Sequence, residues 1–255
     1  MMQLKLSAVV ITFNEERNIE RCIVSLQKVA DEILVVDSFS TDRTEAICRS
    51  HGVRFMTHQF DGHIQQKNYA KAQAKYKHVL SLDADEALDH ALVQSILQAK
   101  KEWKYEAWSM NRLTNYCGKW IHHSGWYPDQ KIRLFNRDFG AWGGSNPHDR
   151  FIPNKGIKIG FLKGDILHYS YYSKTQHIKQ IEYFSGIAAN ALYEKGKSFS
   201  WFKILFKPVA RFVKAYLIRF GFLDGMAGFT IARLSAYANY LKYVKLKKLQ
   251  KGEKI

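Results

Sequence analysis

Three carboxylates, Asp83, Asp85 and Glu86, crowd the end of LSLDADE (80–86), directly behind the apolar run Val79-Leu80-Ser81-Leu82. Like charges that close repel and raise one another's pKa unless a cation stands among them. On an extended strand alternate side chains share a face, with their Cα atoms roughly 6.5–7 Å apart. Asp83 and Asp85 then look at one site and Ala84 looks away. Hard divalent cations such as Mg²⁺ and Mn²⁺ take oxygen ligands, keep several waters and share themselves with phosphates. An Asp-x-Asp at a strand end is therefore suited to a cation that grips a diphosphate. The tripeptide alone is a weak signal, because surface loops carry it by chance.

Its surroundings make the signal specific. LSAVVITF (6–13) reads as a buried strand, with Asn14 at the N-cap of a helix in which Ile19, Cys22, Ile23 and Leu26 have helical spacing. EILVVD (32–37) is a second strand; Ser40, Thr41 or Asp42 caps a helix through Arg49, and Asp42 with Glu45 has capping-box spacing. A third strand over 53–57, a helix over 65–74 and a fourth strand over 78–82 follow. This order predicts an α/β fold, a mostly parallel sheet flanked by helices, with ligands beyond the carboxyl ends of the strands. Three such ends carry polar clusters: Thr12 to Glu15, Asp37-Ser38, and the acids at 83–86. From about 103 to 170 the chain is rich in Trp, Tyr, His and Gly, and reads as short, partly antiparallel pieces covering the sheet edge.

Composition narrows the partners. The 255 residues carry a formal charge of +16, which calls for an anionic partner: nucleic acid, a phosphorylated substrate or an acidic membrane. Cys22, Cys48 and Cys117 form no Cys-x-x-Cys pair and read as reduced thiols of a cytosolic protein. Neither a signal-peptide pattern nor an apolar run of spanning length is present. Residues 195–255 hold 14 Lys and Arg against two acids, and so about +12 of the +16. Within them Phe199, Phe202, Phe206, Val209, Phe212, Val213, Tyr216, Leu217 and Phe220 make a helical apolar stripe, while Lys203, Lys207, Arg211 and Lys214 repeat along another side. Pro208 starts or kinks that helix. The pattern fits a helix in an anionic membrane interface, with a solvated basic face or nucleic-acid binding as competing readings.

Taken together, ITFNEERNI (11–19), VVDSFSTDRT (35–44), QQKNYA (65–70) and LSLDADE (80–86) resemble the inverting family 2 glycosyltransferases, which have the GT-A fold. GWYPDQKIRLFNR (125–137), NPHDRF (146–151), ILHYSYYS (166–173) and the stretch from Gly221 onward are similar to the lipopolysaccharide-core glucosyltransferase branch. The resemblance implies a catalytic domain over 1–172, its nucleotide-binding half at about 1–100 and its acceptor half at about 101–172. Residues 173–255 are then a basic, membrane-associating helical extension.

It also implies roles. Thr12, Glu15, Asp37, Gln66, Lys67 and Asp83 belong to the nucleotide-sugar site, Asp37 accepting from the uracil imide and Lys67 lying against phosphate. Asp85 is the metal ligand, joined by His168, for Mn²⁺ or Mg²⁺. Inversion needs one in-line displacement, with a base on the acceptor hydroxyl. Asp149 is the implied base, where relatives more usually show His-Glu, and Asp129 is the reserve. Trp126 and Tyr127, with Trp120, form a stacking platform for the acceptor, and Arg133 and His148 contact its phosphates or the donor's.

The expected protein is thus a metal-dependent glycosyltransferase, peripheral on the cytoplasmic face of the bacterial inner membrane. It moves a hexose, glucose first, from a UDP-sugar to a heptose of the lipopolysaccharide inner core. Alternatives are a polyprenyl-linked acceptor on the same fold, or a non-catalytic basic protein that binds membrane or nucleic acid. The late helices could equally mediate self-association.

Overall fold

Alternation of apolar side chains along the early strands decides the architecture. The computed structural model describes residues 4–145 and 148–254, with the backbone alone of His148. The first half runs β1 (Leu6–Thr12), α1 (Ile19–Leu26), β2 (Glu32–Asp37), α2 (Thr44–Ser50), β3 (Arg54–Thr57), α3 (His63–Gln73), β4 (His78–Asp83), β5 (Glu86–Leu88) and α4 (His90–Lys101). Ala8 and Val10 of β1, Val35 of β2 and Leu80 and Leu82 of β4 point into one core with Ile19, Ile23, Leu92 and Ile96 of α1 and α4. The intervening Val9, Leu34, Val36 and Val79 point the other way, to Ala70 of α3. Strands buried on both faces are what a parallel sheet between helix layers requires.

The second half supplies β6 (Ala107–Tyr116), β7 (Lys119–Ile121), β8 (Asp129–Asn136), β9 (Gly140–Ser145), β10 (His148–Pro153) and β11 (Ile159–Tyr171), and then α5 (Lys174–Glu194), α6 (Trp201–Val213) and α7 (Gly225–Gln250). The main sheet has the order β3-β2-β1-β4-β8-β6-β11-β5, with β7 on β6, and β9–β10 is a separate hairpin. Pairing is parallel from β3 to β4; the β4–β8, β8–β6, β6–β7 and β11–β5 pairs are antiparallel.

Several local expectations change. Asn14 does not cap α1: it adopts φ 53°, its side-chain oxygen accepts from Thr41 N at 2.8 Å, and the helix begins four residues later, after Asn18. Asp42 makes no capping box with Glu45, because Glu45 pairs with Arg49 while Asp42 accepts from Thr44 N (2.9 Å) and Glu16 N (3.0 Å). Residues 103–170 are partly antiparallel and include the short β7, β9 and β10, as expected, but β6 and β11 are long strands inside the main sheet and not a cover over its edge. Pro208 lies inside α6, which runs on to Val213 before a wider π-type turn over Lys214–Ile218.

The chain divides into two compact units. One comprises residues 1–112 and 129–169; the other joins 113–128 to 170–255. In the second unit α6 and α5 pack on α7. At Gly228 of α7 a Cβ would stand 1.8 Å from the Gly221 carbonyl oxygen, so this crossing is closed to any side chain. Asp224 is buried there and accepts from His123 N (2.9 Å) and His123 Nδ1 (3.0 Å).

Candidate active site

Register brings the three polar strand ends together. Thr12 stands opposite Asp37, and Ile11 opposite Asp83, so β1, β2 and β4 finish at one edge of the sheet. Neighbouring parallel strands are about 4.8 Å apart, which places these ends within the span of a nucleotide. All the residues that follow, up to the acceptor aromatics, belong to the first compact unit.

Among the acids stand the chain's own cations. Lys67 of α3, buried, reaches Asp83 Oδ1 at 2.9 Å and Asp149 Oδ2 at 2.8 Å. Arg133 of β8, also buried, reaches Asp83 Oδ2 at 3.1 Å and Glu86 Oε1 at 3.0 Å. Arg112 adds a 3.4 Å contact to Glu86, which is buried and accepts from Asp83 N through its other oxygen. Burial alone would push the Asp83 carboxyl up, but the Lys67 and Arg133 charges outweigh it and hold the group well below the usual carboxylate range. Both cations lie over the Trp142 ring, at 4.6 and 5.3 Å from its centroid.

The Lys67 bridge depends on how α3 is docked. Asn68 donates to Trp142 O (2.9 Å) and accepts from Trp142 N (3.0 Å), and Lys71 donates to Gly140 O (2.6 Å). These bonds tie α3 to β9, whose hairpin partner β10 carries Asp149 opposite Gly144. Asp129 is committed elsewhere: although burial opposes it, Arg112 and Lys131 hold its carboxyl low, with Arg112 Nη2 at 2.8 Å.

Asp85 is different. The strand ends at Asp83, and Ala84-Asp85 form the turn into β5. Among the described residues no Lys or Arg pairs with Asp85; its partner is His168 Nε2, 3.1 Å from Oδ2. The β5–β11 ladder pairs His168 with Glu86, and Tyr169 N donates to Asp85 O at 2.9 Å, which fixes the pair from both sides. Glu15 stands within their field. Burial pushes its carboxyl up to about 7, the Asn18 amide opposes this at 2.7 Å, and repulsion from Asp85 and Asp42 adds to the rise.

Among the described residues no group of three or more His, Cys, Asp or Glu is arranged to hold a metal. An Asp and a His side by side, with the Glu15 carboxyl nearby, nevertheless fit a cation that takes few protein ligands and completes its shell from phosphate and water.

The other nucleotide-side residues are buried and partly bonded within the chain. Thr12 Oγ1 is buried without a partner. Asp37 accepts from Ser40 N (2.7 Å) and from the Ser40 hydroxyl, and so shapes the turn after β2. Gln66 bonds Ser38 Oγ (3.1 Å) and His58 Nδ1 (2.8 Å). Of the residues expected to meet phosphate, Arg133 is engaged in the interior by Asp83 and Glu86, and Lys67 bridges two carboxylates. The side chain of His148 lies outside the described residues.

The acceptor aromatics belong to the second unit. Trp126, half-buried, packs with Tyr116 (5.8 Å between centroids), Tyr171 (5.8 Å) and His177 (6.0 Å), against the buried cluster of Tyr116, Ile121 and Ile231. Tyr127 contacts His122 edge-on at 5.6 Å, and Trp120 lies on β7 opposite Asn115. Sequence reasoning had passed over Glu86 as an anchor, and Arg112 and Trp142 altogether. Only the crowding of acids at 83–86 hinted that cations must come from elsewhere in the chain.

The mixed α/β sheet with acid-bearing parallel strand ends in register is shared with solved glycosyltransferases of the GT-A fold. The profile described as Glycosyl transferase family 2 matches residues 7–197, and the chain belongs to that family. It is 32% identical over 255 residues to an uncharacterised glycosyltransferase of Rickettsia typhi, covering 96% of this chain and 87% of that protein. It is 30% identical over 254 residues to the lipopolysaccharide core biosynthesis glycosyltransferase LpsC of Rhizobium meliloti, covering 93% of each. Among solved structures, the Pyrobaculum calidifontis mannosyltransferase PcManGT in complex with GDP-Man and Mn²⁺ superposes with a TM-score of 0.52 at 15% identity, over 100% of this chain and 89% of that one.

Proposed function

We propose that this glycosyltransferase moves a hexose, glucose first, from a UDP-sugar to a heptose of the lipopolysaccharide inner core, with inversion and with the help of a divalent cation. The observation that carries the reading is the contrast inside the acid cluster. Asp83 and Glu86 are paired with Lys67, Arg133 and Arg112, while among the described residues no Lys or Arg pairs with Asp85, which lies beside His168. The kinship with LpsC supports the acceptor class, and a strongly positive chain suits an acceptor rich in phosphate.

In this reading Thr12, Asp37 and Gln66 border the uridine, and Asp85 with His168 holds the cation. When bound, the cation supplies Lewis-acid neutralisation of the departing diphosphate. Asp149 takes the proton of the acceptor hydroxyl as that oxygen bonds to the anomeric carbon, while the carbon–phosphate oxygen bond breaks and UDP leaves with its electron pair. Lys67 Nζ, 2.8 Å from Asp149 Oδ2, holds that carboxylate in position. An acceptor of this kind is carried on lipid, so the reaction takes place on the cytoplasmic face of the inner membrane.

The test is a panel of UDP-sugars, with Mn²⁺, with Mg²⁺ and with excess chelator, offered to defined heptose-bearing core acceptors. Product from one UDP-hexose that disappears with chelator is expected. Transfer to a polyprenyl-linked acceptor alone would replace the heptose assignment, and undiminished UDP affinity in chelator would remove the cation.

A further inference from the structure

The late helices leave an apolar face uncovered. α6 rests one side on α7: Ile204 is buried, and Phe212 near its end and Tyr216 just beyond it meet the Phe229 ring at 5.9 and 5.6 Å. Around the helix, residues four apart form two other apolar rows, Trp201-Leu205-Val209 and Phe202-Phe206, each residue between 55% and 63% exposed. Lys203, Lys207 and Arg211 repeat at the same interval one position past the second row, which on a helix of 3.6 residues per turn sets them about 100° from Phe202-Phe206 and about 200° from Trp201-Leu205-Val209. The exposed apolar surface continues past the helix through Ile218, Phe220, Leu223 and Met226.

We propose that this face, from Trp201 to Met226, is an in-plane docking surface for a membrane of anionic lipid. Aromatic and aliphatic side chains held in water are unfavourable, and their burial in the acyl boundary removes them from it. Long Lys and Arg stems carry their charges up to the headgroups beside them. Lys247 lies over the Trp201 ring at 3.9 Å, which puts an aromatic–cation pair where headgroups and acyl chains meet. Charge complementarity selects this occupant. A second copy would bring this face, with five Lys and Arg against one acid over residues 201–226, against its like, and nucleic acid would meet the basic row and leave the apolar rows wet. Among the described residues no helix is long and apolar enough to cross a membrane, so the face lies on the bilayer.

The surface goes beyond the donor and acceptor reading, and it is tested without either. The full chain is sedimented with vesicles of phosphatidylglycerol in phosphatidylcholine, and with phosphatidylcholine alone. Co-sedimentation with the anionic vesicles is expected, weakened about tenfold or more in the triple variant Leu205→Ser/Phe206→Ser/Val209→Ser. Phosphatidylcholine alone should bind roughly tenfold less, and added salt should narrow that gap. Circular dichroism checks folding; should the triple variant not fold, Phe206→Ser alone is expected to weaken binding about threefold. A chain that stays in the supernatant, or apolar variants that bind like the parent, overturns the proposal. So does a dimer that these substitutions dissolve, or duplex DNA bound in preference to vesicles. None of these results would touch the transferase reading, which rests on sugar transfer in solution.

Discussion

Charge is handled in opposite ways in the two units. Around Asp83 the first unit buries Lys67 and Arg133 against three carboxylates at 2.8–3.1 Å. In residues 195–254 of the second unit, 14 Lys and Arg form no ion pair among the described residues, and Lys203 and Lys245 donate instead to backbone carbonyls. Buried pairs fix geometry, since removing one partner strands the other out of water. Unpaired exposed charge fixes nothing locally and is available to a partner. The lesson is that the +16 is not spread evenly over the chain's tasks: part of it builds the site, and the rest faces outward.

Breaking the first unit's network should have the largest effects. Asp85→Ala removes the acid with which no Lys or Arg among the described residues pairs; transfer should fall about a thousandfold or more, together with cation-dependent UDP binding by calorimetry. Asp149→Asn should leave UDP affinity within about threefold and cut transfer by roughly 10²–10⁴. Near-normal turnover would move the base to another residue. Lys67→Met leaves two carboxylates without their shared cation, and should cost about 3–5 kcal/mol in chemical denaturation as well as activity. A comparable exchange at the exposed Lys207 should change stability by less than about 0.5 kcal/mol.

The smallest effect sharpens the comparison through pH. Glu15, raised to about 7 from its ordinary 4.5, binds its proton more tightly folded than unfolded. Its contribution therefore favours the fold below about 4.5 and is lost as pH rises toward 7. Glu15→Gln should raise the melting temperature at pH 8 and leave it nearly unchanged at pH 4. An equal shift at both values would mean that burial and charge at Glu15 do not couple to folding.

Much of this molecule could be read before its coordinates. β2 runs over Glu32–Asp37 as its apolar pattern requires, and the polar ends of β1, β2 and β4 share one edge because parallel strands in register finish together. What escaped was non-local. The partners of Asp83 come from residues 67 and 133, on a helix and an antiparallel strand that no spacing rule connects to it. Aromatic richness reads alike in a core and in a binding site, and the ring contacts of the half-buried Trp126 with Tyr116 and Tyr171 were likewise invisible to spacing. Asn14 looked like a cap because its residue type suits one, yet the same short amide also tolerates the left-handed turn that it adopts.

One ammonium serving two masters has an arithmetic consequence. If Asp83 is neutralised, Lys67 turns wholly to Asp149; if Asp149 is neutralised, it turns wholly to Asp83. Each single substitution therefore measures a redistribution as well as a loss, and the two losses will not sum. The strand that would face the nucleotide and the hairpin that would face the acceptor are in this sense one thermodynamic object, joined at a single nitrogen atom.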